Sequence, residues 1–134
     1  MLGEADVGWD WLGINLNDGR ALMAFRIRDA AGATVFAHAT LRDASGRTQS
    51  WSGADVQFKA LRKWRSARGT EYPVETELRF GPHLIRTQPT IDDQEISTRR
   101  PASVTYWEGL VRVEGTLAGR GYLELTGYAG KIVM

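Results

Sequence analysis

The chain has 134 residues, of which 17 are basic and 16 acidic, and it has no cysteine. A chain of this length forms one domain that buries about 65% or more of its unfolded surface without a metal or disulfide, and the lack of cysteine excludes thiolate catalysis and zinc–thiolate sites. The formal charge of +1 excludes a global field that would attract nucleic acid or an anionic membrane, and no apolar stretch reaches the roughly 18 residues of a spanning helix.

Most of the chain alternates between apolar and polar residues with a period of two, and glycine turns separate the alternating runs. This pattern predicts an antiparallel all-β protein. On the second run, Phe25 and Ile27 share one face while Arg26 and Arg28 share the other, so one face is predicted to look inward and one outward. In chain order the predicted strands cover residues 8–16, 20–29, 33–41, 48–52, 55–64, 72–80, 83–88, 94–98, 105–114 and 121–128.

These runs make about ten strands, and closure into a barrel is the common way for so many hairpin-connected strands to remove their exposed edges. We therefore predict a closed or nearly closed antiparallel barrel, with a sandwich as the alternative. The run 55–64 is ambiguous, since Leu61 and Trp64 would also suit a helix, and we interpret it as a strand. Pro89 and Pro101 are predicted to lie in connections, because proline cannot donate to a strand ladder.

Two clusters at opposite ends of the chain combine large aromatic residues with one carboxylate. They are Trp9-Asp10-Trp11 and Tyr106-Trp107-Glu108. An apolar pocket with few polar groups is the usual form of a ligand site, and the interior of a small barrel holds one lipophilic ligand. The candidate ligand-binding residues are therefore Trp9, Trp11, Tyr106 and Trp107. The alternative is that the tryptophans plug the end of the barrel or pack against another domain.

Asp10 and Glu108 are the candidate catalytic acids. A carboxyl group flanked by indoles is desolvated, which raises its pKa and suits it to donate a proton at neutral pH. The alternative is an ion pair with an arginine on a neighbouring strand, such as Arg26 or Arg112, and the rule that buried charges are paired favours this alternative.

No other constellation predicts chemistry. His38 and His83 are the only histidines, and no acid is spaced from them as a metal site or catalytic triad requires. Asp92 to Glu95 lacks the glycine-spaced ligands of a calcium loop. We therefore predict no metal and no cofactor. The run 59–68 carries five cations around Trp64, but on a nearly neutral domain such a run is usually a solvated face, and no nucleic-acid partner is predicted.

An ordered set of motifs along almost the whole chain resembles the lipocalin-like domain of the AttH and hydroxyneurosporene-synthase (carotenoid 1,2-hydratase) family. The set comprises Gly8-Trp9-Asp10-Trp11, Asn15-Leu16, Asp18-Gly19-Arg20, Trp64, Tyr72-Pro73-Val74, Asp93-Gln94-Glu95, Tyr106-Trp107-Glu108-Gly109 and Gly121 to Tyr128. One departure from the family pattern is Ala67, where proline is expected.

The resemblance implies a lipocalin-like barrel that binds a lipophilic, isoprenoid-like or lipid-like molecule. Members of the family usually carry two such barrels in tandem, often behind an export signal, and this chain resembles the second barrel. The implied partners are a missing N-terminal barrel or a second copy of the domain. The resemblance also implies a hydratase as an alternative, in which an acid protonates an alkene, water adds to the cation, and aromatic faces stabilise that cation.

Overall fold

The computed structural model describes residues 6–98 and 104–129, and these form an antiparallel β-structure with one short 3-10 turn, Gly53–Asp55. The fold class predicted from the alternation is confirmed. The strands are β1 Asp6–Leu16, β2 Ala21–Asp29, β3 Thr34–Arg42, β4 Thr48–Ser52, β5 Val56–Arg65, β6 Glu71–Phe80, β7 His83–Pro89, β8 Glu95–Thr98, β9 Val104–Gly115 and β10 Gly119–Leu125.

All ten strands belong to one sheet, in the order β4-β3-β2-β1-β10-β9-β7-β6-β5, with β8 paired to β9 beside this path. The sheet curls into a half-barrel whose edge strands are β4 and β5. In the described residues no ladder joins these two edges, so the predicted closure is incomplete. A side-chain contact spans the gap instead: the ring of Trp51 on the edge strand β4 packs edge-on against Phe80 on β6, the neighbour of β5, at a centroid distance of 5.2 Å.

The ambiguous run 55–64 is a strand, as predicted, and it forms one edge of the sheet. Val56 is buried and opposite Phe80, but the pairing of β5 with β6 shifts register twice, between Ala60 and Arg62 and again before Trp64. These irregularities break the period of two, which is why the run also resembled a helix.

The core fills the concave side of the curled sheet. On β1 and β2 it takes Leu12, Ile14, Leu22 and Ala24, each at most 3% exposed. The other core residues are Leu16, Ala37, Ala39, Leu41, Val56, Tyr72, Val74, Leu78, Phe80, Ile85, Trp107, Val111, Val113, Leu117, Leu123 and Leu125.

The two faces predicted for the second strand are confirmed, but the face with the arginines is the inner one. Arg26 lies opposite Asp10 and Ala37, in line with the core residues, whereas Phe25 lies opposite Trp11 on the outer side of the sheet. Hydropathy alone does not reveal this orientation, because an inward carboxylate from β1 compensates the arginines.

Turns and ends agree with the sequence in most places. Gly19, in the Asp18-Gly19 turn between β1 and β2, has a φ of 90°, which glycine adopts without strain. Pro89 is the last residue of β7, so its predicted placement in a connection is wrong by one residue, and Pro101 lies outside the described residues.

No helix in the described part of the chain is long and apolar enough to cross a membrane.

Candidate functional site

A buried polar cluster lies inside the half-barrel and is centred on the carboxylate of Asp10. Arg26 Nε lies 2.6 Å from Oδ2, and Arg28 Nη1 lies 2.6 Å from Oδ1. The hydroxyl of Tyr128 donates a third hydrogen bond to Oδ1 at 2.8 Å. Asp10 and Arg28 are 2% and 3% exposed, so this charge cluster is almost dry. We call these four residues the arginine cluster.

The register of the sheet assembles this cluster. Asp10 lies directly opposite Arg26 across the β1–β2 ladder, and Arg28 follows two residues later on the same face. Arg28 Nη2 donates a 2.6 Å hydrogen bond to the carbonyl oxygen of Thr126, just after β10. Its guanidinium lies 3.8 Å above the ring centre of Tyr128, a cation–π contact. These contacts hold the segment that follows β10 against β1 and β2.

Burial and charge change the acidity of two groups in the cluster. Burial raises the pKa of the Tyr128 phenol above its ordinary value, and the neighbouring Asp10 carboxylate raises it further, so Tyr128 remains a proton donor at neutral pH. Burial by itself would lower the pKa of Arg26, but the charge and hydrogen bond of Asp10 outweigh it and the pKa is raised. The cluster therefore holds two positive charges and one negative charge.

A cavity of about 480 Å³ opens beside this cluster, in the gap between β3 and β5 where the sheet does not close. We call it the seam cavity. Arg26 connects the cluster with the seam cavity, since Nη1 donates a 3.2 Å hydrogen bond to Thr34 Oγ1 and its guanidinium carbon lies 5.7 Å from the ring centre of Phe58. The residues that line the cavity are Thr34, Val35, Phe36, Ala37, Gly53, Ala54, Val56, Gln57 and Phe58.

The predicted site residues of β1 other than Asp10 lie on the outer side of the sheet. Trp11 is 37% exposed, and a Cβ at Gly13 would collide with its indole, so the ring lies over that glycine. Trp9 is half-buried and donates a 2.6 Å hydrogen bond from Nε1 to Glu124 on β10. Within the described residues, neither tryptophan lines the seam cavity.

The second predicted cluster is divided between the two sides of β9. Trp107 points inward, is fully buried, and donates a 2.7 Å hydrogen bond from Nε1 to the carbonyl oxygen of Asp92. Tyr106 and Glu108 are half-buried, and they alternate with Trp107 along the strand. Glu108 lies directly opposite Glu124 across the β9–β10 ladder. The two aromatic clusters of the sequence therefore do not form one pocket.

The outer side of β3, β2, β1, β10 and β9 carries an unusual number of large apolar side chains. Phe36 is 44% exposed, Leu110 46% and Tyr122 52%. Phe36 packs on Phe25 at a centroid distance of 5.9 Å. We define the outer aromatic face by Trp9, Trp11, Phe25, Phe36, Leu110 and Tyr122. Among the described residues, the facing carboxylates Glu108 and Glu124 beside this surface form no salt bridge.

The basic run 59–68 lies mainly on the exposed edge strand β5. Arg62 pairs with Glu75 and, through Nη2 at 2.6 Å, with Asp92. The remaining cations are exposed along a sheet edge, where charged side chains oppose pairing with another strand. This arrangement agrees with the interpretation of the run as a solvated face.

Comparison with known proteins identifies the family of this chain. The model of the AttH-like family matches residues 1–128. The chain belongs to the AttH-like family.

Among solved structures, an AttH protein from Nitrosomonas europaea is 46% identical to this AttH-like chain, with a TM-score of 0.90 over 96% of this chain and 41% of its own. Kievitone hydratase from Nectria haematococca is 20% identical, with a TM-score of 0.75 over 93% of this chain and 40% of its own. No curated protein sequence matches the chain. This AttH-like chain spans less than half the length of either solved relative.

Sequence reasoning identified part of the arginine cluster. The alternative offered for Asp10, an ion pair with a neighbouring arginine such as Arg26, is confirmed, while the sequence did not predict Arg28 or Tyr128 as members of the cluster. The signal that points to Arg28 is the pair of arginines on one face of an otherwise apolar strand, whereas no local pattern points to Tyr128. The seam cavity has no sequence signal, because it is formed by strands that are remote in the sheet order. In the described residues, no group of acids and histidines is arranged to hold a metal ion.

Proposed function

We propose that this AttH-like domain binds a lipophilic molecule in the seam cavity. The observation that carries the proposal is the cavity itself, a concave space of about 480 Å³ at the open side of a curled sheet. The inner wall includes the buried Val56 and the half-buried Phe58. The lining also carries polar groups at Thr34 and Gln57. Ligand sites commonly have this size and combine apolar walls with a few polar groups that orient the ligand.

A titration with Nile red, a neutral lipophilic dye, tests this proposal. Ala54, an exposed residue of the 3-10 turn, lines the cavity, so an Ala54→Trp substitution would obstruct it with little cost to the core. We expect saturable binding to the wild type and at least tenfold weaker binding to Ala54→Trp. Ala44→Trp, in the exposed hairpin between β3 and β4, is the matched control and should bind the dye normally. An Ala54→Trp variant that binds as the wild type does would contradict this location.

The tryptophans of the outer face provide a second check on the location. Because Trp11 does not line the seam cavity, Trp11→Ala should leave the affinity for Nile red unchanged. A large loss of affinity in Trp11→Ala would instead favour a ligand on the outer aromatic face, next to Trp9 and Tyr106.

The outer aromatic face supports association as a second candidate function. Isolated domains rarely expose so many neighbouring large apolar side chains unless another surface covers them. The solved relatives are more than twice as long as the part that matches, so the covering surface can be the remaining part of a longer chain or a second copy. Glu108 and Glu124 further suggest a covering surface that presents a basic side chain.

Light scattering tests association between copies. If the face joins two copies, the wild type should be a dimer and Tyr122→Arg, on an exposed position of the face, should be a monomer. A wild-type monomer with solvent-exposed tryptophan emission would count against self-association. The remaining part of a longer chain would then be the surface that covers the outer aromatic face.

A hydratase is the third candidate, and the likeness of fold to kievitone hydratase brings it into consideration. The candidate acids are Asp10, which is buried within the arginine cluster, and Glu108, which is half-buried on β9. The Tyr128 phenol donates a hydrogen bond to Asp10, but burial raises its pKa and makes it a weaker acid, so in this candidate it orients Asp10 and does not supply the proton. Turnover of a polyene by the wild type, and by Asp10→Asn and Glu108→Gln under conditions in which each variant is folded, tests this candidate: an inert wild type, or activity that neither substitution lowers, would reject it.

A further inference from the structure

We propose that the lipophile bound in the seam cavity carries a carboxylate, and that Arg26 holds this carboxylate at the inner end of the cavity. The inference rests on the proposed lipophile-binding function and specifies the chemical class of the ligand.

The first argument is the charge count of the arginine cluster. Two guanidinium groups share one carboxylate, and Tyr128 is uncharged, so one positive charge remains in excess among the described residues. An excess charge in a nearly dry site is unfavourable unless an anion compensates it. A single carboxylate supplies one negative charge, whereas a phosphate dianion would leave an excess of the opposite sign.

The second argument is the position of Arg26 relative to the seam cavity. Arg28 is 3% exposed and its two terminal nitrogens are engaged by Asp10 and Thr126. The side chain of Arg26 is 14% exposed and contacts two residues of the cavity wall, Thr34 and Phe58. Arg26 is therefore the member of the cluster that a ligand in the cavity would reach.

The third argument is the arrangement of polar and apolar groups along the cavity. The guanidinium of Arg26 contacts two lining residues, the hydroxyl of Thr34 and the ring of Phe58, while Val56 and Phe58 supply apolar walls. A carboxylate near Arg26 would make a charge-assisted hydrogen bond, which is roughly twice as strong as a neutral one. An attached hydrocarbon chain would then extend along the apolar walls. These features match a fatty-acid-like amphiphile.

Isothermal titration with dodecanoate and dodecan-1-ol tests the proposal, because the two probes share a chain length and differ in the head group. We expect the wild type to bind dodecanoate at least tenfold more tightly than the alcohol. Arg26→Gln keeps a polar side chain and removes its charge, so it should reduce the preference for dodecanoate over the alcohol to less than twofold. Arg20→Gln removes a half-buried arginine that is paired with Asp18 outside the cavity, and it should keep the wild-type preference.

The outcomes separate this inference from the proposed function. Equal affinities for the two probes, or a preference that survives in a folded Arg26→Gln variant, would overturn the carboxylate assignment and leave lipophile binding in place. A wild type that binds neither probe would overturn both. If Arg26→Gln does not fold, Arg26→Lys replaces it. This variant keeps a positive charge, so it should still prefer dodecanoate to the alcohol, but by a smaller factor than the wild type.

Discussion

The hydroxyl of Tyr128 donates a hydrogen bond of 2.8 Å to Asp10, a residue 118 positions earlier in the chain. The ring of the same tyrosine lies beneath the guanidinium of Arg28, so one side chain contacts both charges of a buried ion pair. This contact joins the segment that follows the last strand to the first two strands. We expect it to contribute to stability and to hold Asp10 in a fixed orientation.

Removal of the phenol hydroxyl should destabilise the fold by about 1 kcal/mol, since Asp10 would lose one of its three side-chain partners and keep both arginines. Tyr128→Phe tests this expectation by urea denaturation. Tyr122→Phe, on a tyrosine that is 52% exposed on the outer face, is the matched control and should change the free energy of unfolding little. Equal effects of the two substitutions would contradict a stabilising role for the Tyr128–Asp10 bond.

Neutralisation of Asp10 should lower the free energy of unfolding much more than removal of the Tyr128 hydroxyl. Asp10→Asn leaves two buried or nearly buried guanidinium groups without a counter-charge, and removal of one partner of a buried ion pair typically costs about 3–5 kcal/mol. Thermal denaturation of the variant measures this loss. Asp18→Asn, which weakens only the exposed pair with Arg20, is the control and should stay close to the wild type. A small change in both variants would show that the buried charges do not depend on Asp10.

The stability of the domain should fall as the pH is lowered below the ordinary pKa of histidine. His83 packs against Phe80 and Trp51, with centroid distances of 5.1 and 6.0 Å. Burial lowers the pKa of His83, and Arg20 lowers it further. The unfolded chain therefore takes up the proton first, near pH 6.5, and stability is lost as the pH falls from there towards the lower pKa of the folded state.

Urea denaturation between pH 8 and pH 5 measures this dependence. In His83→Gln, the dependence of the free energy of unfolding on pH in this range should disappear. In Arg20→Gln it should be reduced and still present, because burial is the larger of the two causes. A wild-type slope that His83→Gln leaves unaltered would assign the pH dependence to other groups.

The two tryptophans predicted to share a ligand site should differ in their contribution to folding. Trp107 is fully buried in the core, and replacement of a core tryptophan by alanine costs about 3–5 kcal/mol. Trp11 is 37% exposed on the outer face, so Trp11→Ala should cost much less. Chemical denaturation of the two variants gives the comparison. Similar losses would indicate that the outer face is packed as tightly as the core.

The sequence predicted the strands better than it predicted the site. Alternation defines a strand locally, and even the run 55–64, in which Leu61 and Trp64 would also suit a helix, was correctly interpreted as the strand β5. The candidate site residues Asp10 and Trp11 are neighbours in the chain, but in a strand they point to opposite sides of the sheet. Adjacency in the sequence therefore grouped side chains that the pleat separates.

By itself, the sequence determined the all-β class and the number of strands, because these depend on local alternation, and it offered an ion pair of Asp10 with a neighbouring arginine as one of two alternatives, because a buried charge must be compensated. The tertiary structure decided which side of each strand faces the core, the position of Tyr128 against Asp10, and the gap between β3 and β5. These features arise from contacts between residues far apart in the chain and from the curvature of the whole sheet, which no local pattern encodes.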